Sequence, residues 1–135
     1  LWGVVHVLGG AMMLIAHAEG GASQVLDMVG TGPSAGMVAD SFAPVVDSVV
    51  GFHAFNLLWI GVAVTVLSTL WFRTGRRVHF WMTLMLVTAA DAGLVAFMLV
   101  PGTIAGSDAA IGLALWAAGA ATGLYTIFST PDTEA

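Results

Sequence analysis

The chain has 135 residues, of which 59% are hydrophobic and only 8% are charged, whereas about a quarter of the residues in a soluble domain are charged. This composition excludes an ordinary soluble domain and predicts a protein of the lipid bilayer. Cys and Lys are both absent, which excludes disulfides, thiolate metal sites and a retinal or pyridoxal Schiff base. A net charge of −5 with only three Arg excludes a nucleic-acid-binding surface.

Four apolar segments, at about 1–18, 45–72, 78–100 and 109–128, are long enough to cross a hydrocarbon core. A bilayer offers no partner for unpaired backbone groups, so the segments are predicted to be helices. The first segment lacks the basic start and the cleavage site of a signal peptide, and we expect it to be a span. The predicted fold is all-α: an integral membrane four-helix bundle in which residues 1–135 form a single transmembrane domain.

The three arginines, Arg73, Arg76 and Arg77, all lie in the connection between the second and third segments. Basic residues accumulate in cytoplasmic loops, so this connection and both termini are predicted to be cytoplasmic. A sequence rich in Ala, Gly and Val without Lys is typical of GC-rich bacterial genomes. We therefore expect a bacterial inner (plasma) membrane protein.

The predicted outer loop, residues 19–44, is long and only moderately polar. Apolar clusters at 25–29 and 37–42 flank the turn "GTGPS". We expect these clusters to form short interfacial helices over the outer mouth of the bundle. Pro44 is expected in the first turn of the second helix, where its missing N–H has no cost.

Polar residues interrupt three of the segments at a similar predicted depth. His53 and Asn56 lie near the outer start of the second segment, and His17 lies near the outer end of the first. Asp91 lies about 20 Å above the inner start of the third, at about 1.5 Å per residue. An Asp at such a depth costs about 2.5–3.5 kcal/mol, so it is expected to face the bundle interior and to have a partner.

These residues predict a buried site in the outer half of the bilayer that binds a lipophilic or small ligand. Its predicted members are His53, Asn56 and Asp91, with His17 at the rim and Thr88 one helical turn below Asp91. The alternative for each single residue, above all Asn56 and Thr88, is a hydrogen bond that joins two helices.

Two cofactor alternatives follow from the histidines. His17, His53 and Asp91 together match a two-His, one-carboxylate metal site. The first segment also carries His6, Gly10, Met13 and His17 on one helical face, an arrangement that resembles the haem-binding helices of membrane b-type cytochromes. That resemblance implies a haem- or metal-binding redox protein or enzyme, although His6 has no histidine partner at its depth. Motifs of catalytic chemistry are absent, and the sequence leaves enzymatic activity open.

The fourth segment carries Gly112, Gly119 and Gly123 on nearly one stripe. Small residues at this spacing allow helices to approach closely, so the stripe predicts packing within the bundle, in a homo-oligomer or against a larger membrane complex. An accessory or assembly subunit is therefore the second functional hypothesis.

Overall fold

The computed structural model describes residues 1–29, 43–102 and 104–129, and these residues form helices and short connections. Helix α1 spans Trp2–Val29, α2 spans Ala43–Thr74, α3 spans Arg77–Leu94 and α4 spans Gly106–Ser129. A π-helical segment, Val95–Leu99, continues α3. Over the described residues the all-α prediction is confirmed, and four of their helices are long and apolar enough to span a membrane.

Helix α1 is broken at Gly21, whose backbone adopts φ 66° and ψ −160°. Only glycine reaches this region without strain. The helix then resumes over residues 22–29, because the Ala22 N–H donates a 2.7 Å hydrogen bond to Asp47 Oδ1 of α2. The first apolar cluster of the predicted outer loop is thus helical, but it continues α1. The second cluster, residues 37–42, lies outside the described residues.

Val25 anchors the resumed helix to the rest of the bundle. Its side chain is fully buried in a cluster with Met13, Ala16 and Ala54. Residues 22–29 therefore pack against the first part of α1 and against α2, as part of the bundle.

The loop between α2 and α3 defines what we call the arginine end of the bundle. Gly75, at φ 67°, ends α2, and its N–H bonds to the Trp71 carbonyl at 2.8 Å. The Arg77 guanidinium donates to the Ile127 carbonyl at 3.2 Å. The carbonyl end of a helix attracts cations, which favours this position for Arg77. The contact joins the start of α3 to the last turn of α4.

Glycines bring α1 and α2 into close contact. A Cβ atom on Gly10 would lie 2.6 Å from the Leu58 nitrogen, and one on Gly61 would lie 2.7 Å from the Val7 nitrogen. Such short approaches leave no room for side chains, and they are how membrane helices maximise packing. The pair α1–α2 is the most extensive helix contact in the fold.

These contacts fix the axial offset of each helix. Gly3 lies against Gly61 and Thr65, so α1 begins level with the middle of α2. Helix α2 continues from there to Thr74, about 13 Å farther along the axis. On the other side of α2, the rings of Trp71 and Phe80 are 5.0 Å apart. The arginine end is consequently built by α2, α3 and α4.

The outward surface is apolar along most of the helices. Phe72, Phe97 and Phe128 are each at least 78% exposed. A chain in water would bury such side chains, whereas a lipid-facing surface exposes them.

Candidate functional site

The candidate site is centred on a buried carboxyl group. Among the described residues, Asp91 of α3 is the charged side chain that is buried, with 5% exposure. The polar groups that interact electrostatically with its carboxyl group are the Trp2 indole N–H and the His6 imidazole of α1. Within the described part of the chain, neither Asp91 Oδ2 nor Trp2 Nε1 has a hydrogen bond of ordinary geometry. Buried polar atoms in this condition are costly, which makes the cluster a candidate for binding a polar group.

Trp2 and His6 stack against each other near the start of α1. Their rings are stacked with centroids 3.5 Å apart and planes inclined by 16°. His6 Nδ1 lies 2.9 Å from the Trp2 carbonyl oxygen. A carbonyl only accepts, so Nδ1 carries a hydrogen in this contact.

A cavity of about 570 Å³ lies at the arginine end, below Trp2. It lies between the first residues of α1 and the other three helices. Its wall on α3 includes Phe80, Leu84 and Val87. Asp91 lies one helical turn beyond Val87, so it continues the face of α3 that lines the cavity.

The cavity wall is lipophilic although several hydroxyl groups border it. Thr65, Thr69, Thr83 and Thr122 all line it. Each of these hydroxyls donates to the backbone carbonyl four residues earlier in its own helix. The hydroxyl hydrogens are therefore used locally, and an apolar molecule could occupy the cavity without leaving them unpaired. The volume falls in the range of about 300–1,000 Å³ that is usual for small-molecule sites.

The structure places the residues predicted from the sequence at two levels rather than one. His53 is exposed on α2, and Asn56 Oδ1 accepts a 2.8 Å hydrogen bond from Trp59 Nε1 of the same helix. The packing of Val64 with Val87 sets Asp91 level with Ile60. His53 is about 10 Å from that level, toward the end of the bundle opposite the arginines.

His17 lies farther still toward that end. Its Nε2 lies 2.9 Å from the Asp47 carbonyl oxygen and 3.2 Å from Asp47 Oδ1. A Cβ atom on Gly51 would touch the His17 ring at 3.0 Å. Since Asp47 also holds the N–H of Ala22, His17 belongs to the packing around the break in α1.

Thr88 is a helix-joining residue in this structure. Its hydroxyl accepts a 3.0 Å hydrogen bond from Trp116 Nε1 of α4. This is the interhelical hydrogen bond that the sequence offered as the alternative for Thr88.

The geometry bears also on the cofactor alternatives. Over the ranges that the structure describes, no group of three His, Cys, Asp or Glu side chains is close enough to hold a metal ion. His17, His53 and Asp91 are thus not assembled as a ligand set here. On the face of α1 that resembles a haem-binding helix, Gly10 contacts the backbone of α2 and Met13 is buried.

The three glycines of α4 have different surroundings. Gly123 lies against the Phe80 ring, so it serves packing inside the bundle. A Cβ atom on Gly112 or Gly119 would have no neighbour within 4 Å. Gly119 lines the cavity, and Gly112 does not.

Sequence reasoning missed Trp2 and His6 as neighbours of Asp91. Trp2 was not singled out from the sequence, and His6 was compared only with other histidines. The signal that was available is the set of small residues Gly3, Gly10 and Gly61, because close packing at these positions sets α1 against the middle of α2.

Comparison of the chain with protein-family models, with curated proteins and with solved structures gives no match.

Proposed function

We propose that this protein binds a lipophilic small molecule inside its helix bundle. The observation that supports the proposal is the cavity of about 570 Å³ whose wall is apolar and whose threonine hydroxyls are bonded within their own helices. A ligand site of this kind is lined mainly by apolar groups and has few polar groups that orient the ligand.

Of the ligand-binding residues predicted from the sequence, the proposal retains Asp91. It places the ligand nearer to the arginine end than the sequence predicted. Asn56, Thr88 and His17 each have a hydrogen-bond partner in the protein, which favours structural roles for them. With the arginine loop in the cytoplasm of a bacterial cell, the cavity lies in the inner half of the plasma membrane.

A photoreactive alcohol tests this proposal directly. The protein, in lipid nanodiscs, is exposed to dodecanol that carries a diazirine in its tail, and crosslinked residues are located by mass spectrometry. We expect saturable labelling of cavity-lining residues such as Leu84 and Val87, reduced by excess unlabelled dodecanol.

A matched pair of variants separates the cavity from the lipid-facing surface. Gly119→Phe fills the cavity, and Gly112→Phe adds the same ring to α4 away from it, while both glycines have open space around them. Labelling should fall in Gly119→Phe and persist in Gly112→Phe. Labelling that does not saturate, or that is equal in the two variants, overturns the proposal.

A further inference from the structure

Beyond the end of the cavity at Trp2 lies the buried carboxyl group of Asp91, and no arginine or lysine side chain approaches it among the described residues. All three arginines lie at residues 73–77, and the sequence contains no lysine. Asp91 is separated from Arg77 by about 21 Å of helix α3, at about 1.5 Å per residue. Of the imidazoles, His6 is the one that acts on the Asp91 carboxyl.

The position of Asp91 links this charge to the cavity. On α3 it follows Phe80, Leu84 and Val87, which belong to the cavity wall. On α1, Trp2 belongs to the same wall and also faces the carboxyl. A molecule that fills the cavity along its length thus has one end at Trp2, with Asp91 immediately behind the indole.

The unpaired atoms define the chemistry that fits there. Asp91 Oδ2 is an acceptor without a partner within the described residues. An ammonium group has three donors and no acceptor, so it is complementary to a carboxylate oxygen. Its positive charge also stabilises the ionised form of a carboxyl group, a form that burial alone makes costly.

From this juxtaposition we propose that the cavity ligand is a lipophilic amine, with its alkyl body in the cavity and its ammonium group paired with Asp91 beside His6. The inference rests on the proposed function, since the alkyl body occupies the same cavity. Trp2 stands between the two parts of the site, and its indole moves aside to admit the ammonium group.

The test compares dodecylamine with dodecanol, which have the same chain length and differ in the head group. A primary alkyl amine is protonated at pH 7. Each compound competes against the photoreactive dodecanol in nanodiscs of neutral lipid. We expect dodecylamine to compete about tenfold better or more, as a hydrogen bond to a charged partner exceeds one between neutral groups.

Two substitutions assign this preference to Asp91. Asp91→Asn should abolish the preference for the amine and keep competition by dodecanol, which also reports that the variant is folded. Asp27→Asn, which removes an exposed carboxylate from the segment after the break in α1, should leave the preference unchanged. If Asp91→Asn does not fold, a second probe locates the head group in the wild-type protein. This probe is dodecylamine that carries a diazirine next to the nitrogen, and we expect its crosslinks at Trp2 and Val87. Together with the wild-type preference for the amine, these crosslinks then test the proposal.

The remaining outcomes of the competition and crosslinking experiments each contradict one part of the proposal. Equal competition by amine and alcohol, or better competition by the alcohol, overturns the amine ligand and leaves the lipophilic site standing. An amine preference that persists in Asp91→Asn assigns it to the acidic surface and overturns the role of Asp91. Head-group crosslinks at the arginine end overturn the orientation. Saturable binding of neither compound overturns the proposed function as well.

Discussion

Replacement of Gly10 by alanine should separate α1 from α2. The added Cβ would lie 2.6 Å from the Leu58 nitrogen and 2.9 Å from its Cα. Ordinary contact begins at 3.4 Å, so the helices must move apart by about 0.8 Å at this level. Backbone atoms of α2 cannot rotate away as a side chain would, and overpacking of this kind costs about 1–3 kcal/mol.

The neighbouring glycine provides a matched control. Gly9→Ala meets nothing within 4 Å, and alanine in a helix interior is favoured over glycine by about 0.5–1 kcal/mol. Thermal unfolding of the purified protein in one detergent, followed by tryptophan fluorescence, should therefore give a lower Tm for Gly10→Ala and an unchanged or slightly higher Tm for Gly9→Ala.

The displacement should also weaken the candidate site. Trp2 and His6 belong to α1, so a shift of this helix moves them relative to Asp91. Gly10→Ala is expected to lower dodecylamine competition more than Gly9→Ala does. The reasoning is refuted if the two variants have the same Tm and the same competition, because α1 and α2 then do not pack through Gly10.

Three further predictions concern the break in α1 and the stripe on α4. Gly21→Ala should destabilise the protein by about 1–3 kcal/mol, because φ 66° and ψ −160° are strained for alanine; an unchanged Tm would show that the break has another geometry. Asp47→Ala should accelerate hydrogen exchange over residues 22–29 by removing a helix cap that contributes about 1 kcal/mol, and Asp47→Asn, which keeps an acceptor oxygen, should do so less. Gly123→Leu should lower the Tm because it displaces the Phe80 ring, whereas Gly112→Leu should leave the Tm unchanged. The accessory-subunit hypothesis makes a different prediction for Gly112→Leu, which should remove co-purifying subunits from gently solubilised membranes. Unchanged co-purification would contradict that hypothesis.

The break at Gly21 shows why local sequence was insufficient at the end of α1. The stretch "AEGGASQ" contains two adjacent glycines, and either could have ended the helix. The acceptor that restarts the helix is Asp47, which is 25 residues away in sequence and reaches Ala22 only after α2 has packed against α1. A cap provided by another helix leaves no pattern in the capped segment.

The depth of Asp91 is predicted from the third segment alone, but its neighbours depend on the other helices. Measuring depth from the loops placed His17 and His53 beside it. Contacts of Gly3 and Gly61 instead set the first turn of α1 against the middle of α2, which brings Trp2 and His6 to Asp91. An error of a few residues in this offset is enough to exchange one set of partners for another, at about 1.5 Å per residue.

The sequence by itself determined that the chain forms helices suited to a bilayer, how many there are and where the arginine loop joins two of them. Length and hydrophobicity suffice for this, because an apolar helix must satisfy its own backbone wherever it lies in the membrane. Only the tertiary structure decided which polar residues meet and where a cavity remains. An apolar helix surface is compatible with many axial offsets against its neighbours, and the offset is selected by close contacts between small residues on different helices, which no single segment encodes.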